Sequence, residues 1–193
     1  MSELYTASQM HDAYCRASGL SPKDQDSILN RFRYMAKRGL LGEGIVVDDR
    51  KTLAFPKIEI FRASIYTELA GIAMDLRAFE PIVEAAERRY PHGLNVAPSM
   101  KRDGAWASKG GLLDAIHGVA LGENWSLQIE LKRPGFHTGG GLAAEFVFDA
   151  SKEPPSVLAT SDEILGRRRV RTRASVDLYA LFAPLIELVG LPG

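Results

Sequence analysis

Residues 24–39, DQDSILNRFRYMAKRG, restrict what this chain can become more than any other stretch. Spaced at three- and four-residue steps, Ile28, Leu29, Phe32, Met35 and Ala36 predict a helix that docks on a core by one face. The remaining positions are polar and mostly basic. Between Arg31 and Arg38 stand four cations, Arg31, Arg33, Lys37 and Arg38, and no carboxylate. With Asn30 and Tyr34 beside them, these side chains form a surface of the kind that meets phosphates and base edges.

The segments on either side fit a small motif. Ala7 to Ser18 reads as a first helix, with Thr6 and Gln9 as a capping box and Met10, Ala13, Tyr14 and Ala17 on one face. Gly19 ends it, and Ser21 caps the second helix with Pro22 in its first turn. Asp24 and Asp26 suit the positive end of that helix dipole. Two β-prone runs follow, Ile45-Val46-Val47 and Thr52-Leu53-Ala54-Phe55, around a polar turn carrying Arg50 and Lys51. Helix, glycine-containing turn, basic helix and two-stranded ribbon make the order of a winged helix-turn-helix.

From Pro56 a helical period returns. Ile58, Phe61, Ile65, Leu69, Ile72, Leu76 and Phe79 form a stripe longer than a small winged domain can cover, so either the C-terminal region packs along it or a second copy of the chain does, and the reading taken is a connecting helix that contributes to subunit pairing. Pro81 is expected to break or reset it, with a short helix over Ile82 to Arg89, and residues 92–107, rich in Pro, Gly and Ser, to mark a boundary. Beyond them Gly111 to Leu121 looks helical, and Trp125 to Lys132 alternates apolar and polar at every step. Leu142 to Phe148 would complete a hairpin with it, burying Leu142, Ala144, Phe146 and Phe148. Ser156 to Thr160 and Arg167 to Arg173 read as further strands, and a final helix is expected from Ser175, bent at Pro184. The expected architecture is α+β: residues 1–55 a winged helix-turn-helix, 56–90 a long connecting helix, and 91–193 an α+β domain with a small antiparallel sheet.

The wording of the first eighty or so residues resembles the MerR family of bacterial winged-helix transcription regulators. Similar are Tyr5-Thr6-Ala7 opening the first helix, Gly19-Leu20-Ser21-Pro22 at the turn, and Arg33-Tyr34 followed by Lys37-Arg38-Gly39-Leu40-Leu41. Arg50 and the run from Phe55 to Phe79 continue the order. The resemblance implies a homodimer on double-stranded DNA, with Ser21, Lys23, Asn30, Arg31, Arg33, Tyr34, Lys37 and Arg38 on the duplex and Arg50 and Lys51 on its flanking backbone. A single cysteine, Cys15, sets the chain apart from the metal-sensing branches of that family.

Composition is permissive. The 193 residues carry 24 basic and 24 acidic side chains, so attraction to a polyanion must come from local clusters. One cysteine forms no intramolecular disulfide, no basic-then-apolar leader opens the chain, and no apolar run approaches a membrane span, which together lead to the expectation of a cytoplasmic protein. His11 and Cys15 stand at metal-ligand spacing without further ligands to complete a site, and Pro134 to Gly141 reads as a hairpin loop rather than a phosphate cradle. Arg167, Arg169, Arg171 and Arg173 fit a protective strand edge or a second phosphate strip. No catalytic motif, metal site or cofactor is expected. The leading expectation is a sequence-specific transcription regulator rather than an enzyme, with a small-molecule effector or a protein partner at the C-terminal domain. Two alternatives remain: a protein-interaction or assembly module, for example of phage origin, or a small-molecule-binding or enzymatic site in the C-terminal sheet near Trp125 and His137, where Trp106, Trp125, Phe146 and Phe148 otherwise fill a core.

Overall fold

The computed structural model describes residues 3–71, 79–89, 97–102, 105–132, 141–149 and 170–192. Among them are six α-helices, two three-stranded antiparallel sheets and one two-stranded ribbon, a mixed α+β architecture. The chain divides into two compact units, Met1–Phe79 with Ala180–Gly193, and Glu80–Tyr179. The stretch expected as one connecting helix, residues 56–90, is thus shared between them. Among the described residues no helix is long and apolar enough to cross a membrane.

The first unit opens with strand β1 (Leu4–Thr6) and helix α1 (Ala7–Ser18). Thr6 caps α1 as its sequence implies: its hydroxyl accepts from the Gln9 N–H while the Gln9 side chain accepts from the Thr6 N–H at 2.8 Å. Gly19, at φ +60°, takes the left-handed conformation that closes the helix. Helix α2 (Pro22–Lys37) follows after a short turn. Ser21 stands at its N-cap, yet its hydroxyl donates to Asp24 Oδ2 at 2.7 Å and leaves the helix N–H groups alone. Strands β2 (Ile45–Val46) and β3 (Leu53–Pro56) pair antiparallel, and β1 joins the far side of β3, giving the order β1-β3-β2. The turn between β2 and β3 is held by Asp48, whose carboxylate accepts from the Thr52 N–H at 2.8 Å and the Thr52 hydroxyl at 2.7 Å. Those bonds, the backbone one foremost, hold the Asp48 carboxyl below the usual carboxylate range.

Helix α3 (Ile58–Gly71) is covered nearly all round. Every residue from Glu59 to Thr67 is buried, the charged pair Arg62 and Glu59 included, which sit 3.5 Å apart one turn from each other. The described part of the expected pairing stripe is therefore used inside this unit: Phe61, Ile65, Leu69 and Phe79 each expose 1% or less, and Ile58 is half-buried. Phe61 meets Phe182 edge-on at 5.2 Å, and Tyr66 stacks on Phe79 at 4.5 Å. Ile72 and Leu76 lie outside the described residues. Of the expected continuous helix, the described residues show α3 and, as α4, Phe79–Glu87. Pro81, expected to break or reset the helix, lies within α4.

The second unit rests on strands β6 (Asn124–Lys132), β7 (Gly141–Asp149) and β8 (Val170–Asp177), in the order β7-β6-β8. Trp125, Leu127 and Ile129 are buried along β6, as its alternation predicts, and Ala144 and Phe146 along β7. Helix α5 (Gly111–Ala120) approaches so closely that a Cβ on Gly118 would overlap Trp125 Nε1, and one on Gly111 would stand 2.6 Å from the Ala85 carbonyl oxygen. Residues 97–107, expected as a plain boundary loop, contain a 3-10 turn at Pro98–Met100 and a ribbon of β4 (Lys101–Arg102) with β5 (Ala105–Trp106). Strand β8 continues past the expected helix start at Ser175, since Ser175, Val176 and Asp177 pair with Gln128, Leu127 and Ser126. Helix α6 (Leu178–Val189) begins only where that ladder ends and holds Pro184 within it. Ser156 to Thr160, Pro134 to Gly140 with His137, and Arg167 and Arg169 lie outside the described residues.

Candidate nucleic-acid interface

Which side chains of α2 face solvent follows from helix geometry. At about 100° per residue, Ile28, Phe32 and Met35 fall on one side, and all three are buried beneath α2. Tyr14 and His11 of α1 pack on the Phe32 ring at 5.8 and 6.2 Å between centroids, fixing the helix from below. The opposite side presents Lys23, Ser27, Asn30, Arg33, Tyr34, Lys37 and Arg38, all exposed, with Asp24 and Asp26 at its N-terminal end. Ser21, expected on the duplex, is exposed but its hydroxyl is engaged with Asp24. Arg31 is different. It lies at the margin of the buried face, half-buried, and its Nη1 donates to the Thr67 carbonyl of α3 at 3.4 Å.

Arg38 lays its guanidinium over the Tyr34 ring, 5.2 Å from the centroid, so the last turn of the helix offers a cation and an aromatic face together. Arg50 and Lys51 occupy the exposed tip of the β2–β3 turn in the same unit. Lys51 adopts φ +59°, the only positive φ at a non-glycine residue among the described residues. Among those residues none of Lys23, Arg33, Lys37, Arg50 and Lys51 forms an ion pair with a carboxylate. By contrast Lys57, away from this surface, is held by Glu3 at 3.0 Å and draws the Glu3 carboxyl down.

The remaining candidates have structural partners. His11 bridges two helices: Nε2 contacts the Gln25 carbonyl at 3.0 Å and Nδ1 contacts Asp12 at 2.9 Å, with the Cys15 thiol 3.2 Å from Nε2. Burial, with Asp12 nearby, pushes the Cys15 thiol up, which keeps it neutral. Among the described residues no group of three or more His, Cys, Asp or Glu is arranged to hold a metal. Trp125 and Phe146 fill the core of the second unit, Trp125 with its ring N–H donated to Glu123 at 3.1 Å. Arg171 and Arg173 belong to β8, whose backbone register sets position 173 opposite position 130 of β6.

A pocket of about 270 Å³ in the first unit, lined by Ser27, Asn30, Arg31, Tyr34 and Met35 of α2 with Tyr66, Ala70 and Phe79, is not foreshadowed by any motif or spacing in the chain. Its existence depends on the small Ala70 facing α2, a matter of helix packing that periodicity does not encode. Comparison with protein families, with characterised proteins and with solved structures finds no match to this chain.

Proposed function

We propose that this chain is a DNA-binding regulator of the winged helix-turn-helix kind, in which α2 enters the major groove and the β2–β3 tip touches the flanking backbone. What carries the reading is the set of exposed cations, Lys23, Arg33, Lys37, Arg50 and Lys51, none of which forms an ion pair with a carboxylate among the described residues, in a chain whose overall charge balances. Local charge of this kind is neutralised by phosphates, with release of the DNA's counterions. Asn30, Arg33 and Tyr34 have the donors and acceptors to read base edges, and Lys37 and Arg38 suit the phosphates alongside. Arg31, held by Thr67, supports the helix from its margin and is left out of the direct contacts. Pairing of two copies belongs to the proposal through a surface other than the buried stripe, and it predicts protection of two half-sites about 34 Å apart.

Fluorescence anisotropy on a labelled duplex, across salt concentrations, tests this. Arg33→Ala and Lys37→Ala should each weaken binding about five- to tenfold, and each should flatten the log–log salt slope by about one. Wild-type affinity in both variants at low and moderate salt would end the reading.

One observation favours a protein partner as a second reading. Strand β2 is at the edge of its sheet, and Ile45, Val46 and Val47 are 55%, 56% and 50% exposed, an apolar edge of the type that accepts another strand. Val46→Lys separates the two readings: it should leave duplex affinity unchanged while abolishing association that depends on this edge.

A further inference from the structure

A ring of polar contacts closes the turn between α1 and α2. The His11 ring, 6% exposed, stands between the helices with Nε2 3.0 Å from the Gln25 carbonyl oxygen. A carbonyl oxygen only accepts, so Nε2 carries a proton and donates it across to α2. The other ring nitrogen meets Asp12 of the same helix at 2.9 Å and ties nothing across. The Gln25 side chain donates to the Leu20 carbonyl at 3.3 Å, and the Leu20 N–H donates to the Cys15 carbonyl at 3.2 Å. Cys15 returns to the start, its sulfur 3.2 Å from His11 Nε2. Among the described residues no other side chain of α1 bonds to α2. What else holds the pair is the burial of Ile28, Phe32 and Met35, which resists separation but has no preferred direction. A hydrogen bond has one, and weakens steeply as it bends.

We infer that His11 is a positioning residue: through the Gln25 carbonyl it fixes the rotation of α2 on α1, and with it the direction in which Asn30, Arg33 and Lys37 point. A helix turns as one body, so a rotation about its axis at Gln25 carries every exposed cation through the same angle. The bearing of His11 on a duplex rests on the reading given above, whereas the angle between the two helices does not depend on it.

Two variants of the full chain separate direction from burial. His11→Leu keeps an apolar side chain in place and loses the bond, while His11→Gln keeps a donor, its amide nitrogen reaching to where Nε2 stands. Residual dipolar couplings of the α1 and α2 amides, measured without DNA, should show an altered rotation between the helices in His11→Leu and the wild-type one in His11→Gln. Both should melt within about 5 °C of wild type, since a single net hydrogen bond is at stake. On the labelled duplex His11→Leu should lose about three- to tenfold in affinity, and His11→Gln should recover most of it. In the wild-type protein the Nε2 proton should exchange slowly with water and show cross-relaxation to α2, a readout that decides the matter even if His11→Leu fails to fold. Unchanged couplings in a folded His11→Leu would overturn the assignment, as would a glutamine variant no closer to wild type than the leucine one, or an Nε2 proton that exchanges freely. Altered couplings in His11→Leu, with no wild-type affinity for DNA, would support the positioning role and end the DNA reading instead.

Discussion

In the second unit the carboxylates that line its loops are consumed by the fold, whereas in the first unit the cations along α2 are left over. Glu123 accepts from the Ser99 N–H at 2.7 Å, from the Ser99 hydroxyl at 2.6 Å and from Trp125, and so ties the 3-10 turn to β6. Asp114, buried in α5, accepts from the Ser108 hydroxyl and from the Lys109 N–H at 2.9 Å, fixing the loop that leads into its own helix. Each carboxylate thereby replaces the hydration it loses on burial. Arg33 and Lys37 have no such task, and removing them should leave the fold intact. Polar groups with internal partners mark scaffold, and exposed charges without them mark a surface that can meet something else.

The sharpest way to break this contrast is to remove what holds α2 from below. Phe32 is fully buried against Tyr14 and His11, and Phe32→Ala should cost about 3–5 kcal/mol. Chemical denaturation would show it, and the exposed stripe should lose duplex affinity together with the helix that presents it. If Phe32→Ala kept full affinity, the orientation of α2 would not matter to binding.

Gly118→Ala addresses the second unit in the same way. Its Cβ would overlap Trp125 Nε1 and crowd Glu123 Oε2, so the helix must retreat from β6 or the indole must give up its hydrogen bond. The expected loss is about 1–3 kcal/mol. Duplex affinity should stay within about twofold, since the change touches none of the exposed cations. A large drop in affinity would tie this unit to the DNA and dissolve the division between scaffold and surface.

Much of this was legible before any coordinates, and the reason differs from element to element. The Thr6 and Gln9 capping box, the turn at Gly19 and the alternation along β6 are local, so sequence spacing specifies them. The β1-β3-β2 order needs Leu4–Thr6 to find Leu53–Pro56, and β1 was too short to carry a period of its own. The last helix was expected from Ser175 on the apolar spacing that follows it; the ladder to β6, a tertiary effect, holds Ser175 in a strand instead. Arg31 counted with its basic neighbours on composition, while its angle on the helix put it beside α3. At Phe61, Ile65, Leu69 and Phe79 the stripe announced burial correctly, but periodicity does not say whether the cover comes from the same chain or another.

A smaller effect should distinguish the two units by pH. Tyr14 donates to Glu68 Oε1 at 2.6 Å, and burial, with Glu68 second, raises the phenol above its ordinary 10.0. Cys15, beside it, is raised from 9.0, also by burial first. A raised acid favours the neutral form, so both groups contribute their stability in full below those ordinary values and lose it as pH climbs toward the folded ones. Unfolding measured from pH 7 to 11 should show the first unit weakening above about pH 9. Tyr14→Phe should cost about 1 kcal/mol at pH 7, Glu68 being exposed, and should make the alkaline decline shallower. Parallel curves for wild type and variant would show that the phenol does not couple folding to pH.

The smallest expected effect runs the other way, toward greater stability. At φ +59° a lysine side chain pays roughly 1–2 kcal/mol relative to the right-handed region, and glycine at the same place avoids that strain while losing about 0.5–1 kcal/mol through its freer unfolded chain. Lys51→Gly should therefore stabilise the first unit by about 0.5–1 kcal/mol, read from the shift in its denaturation midpoint. A cation kept where glycine would be more comfortable, at an exposed tip without a carboxylate partner, makes sense if the charge itself is used. The same variant should then bind a duplex a few-fold more weakly and with a flatter salt slope. Gain of stability with no change in affinity would mean the tip stays clear of the backbone, confining the contact surface to α2.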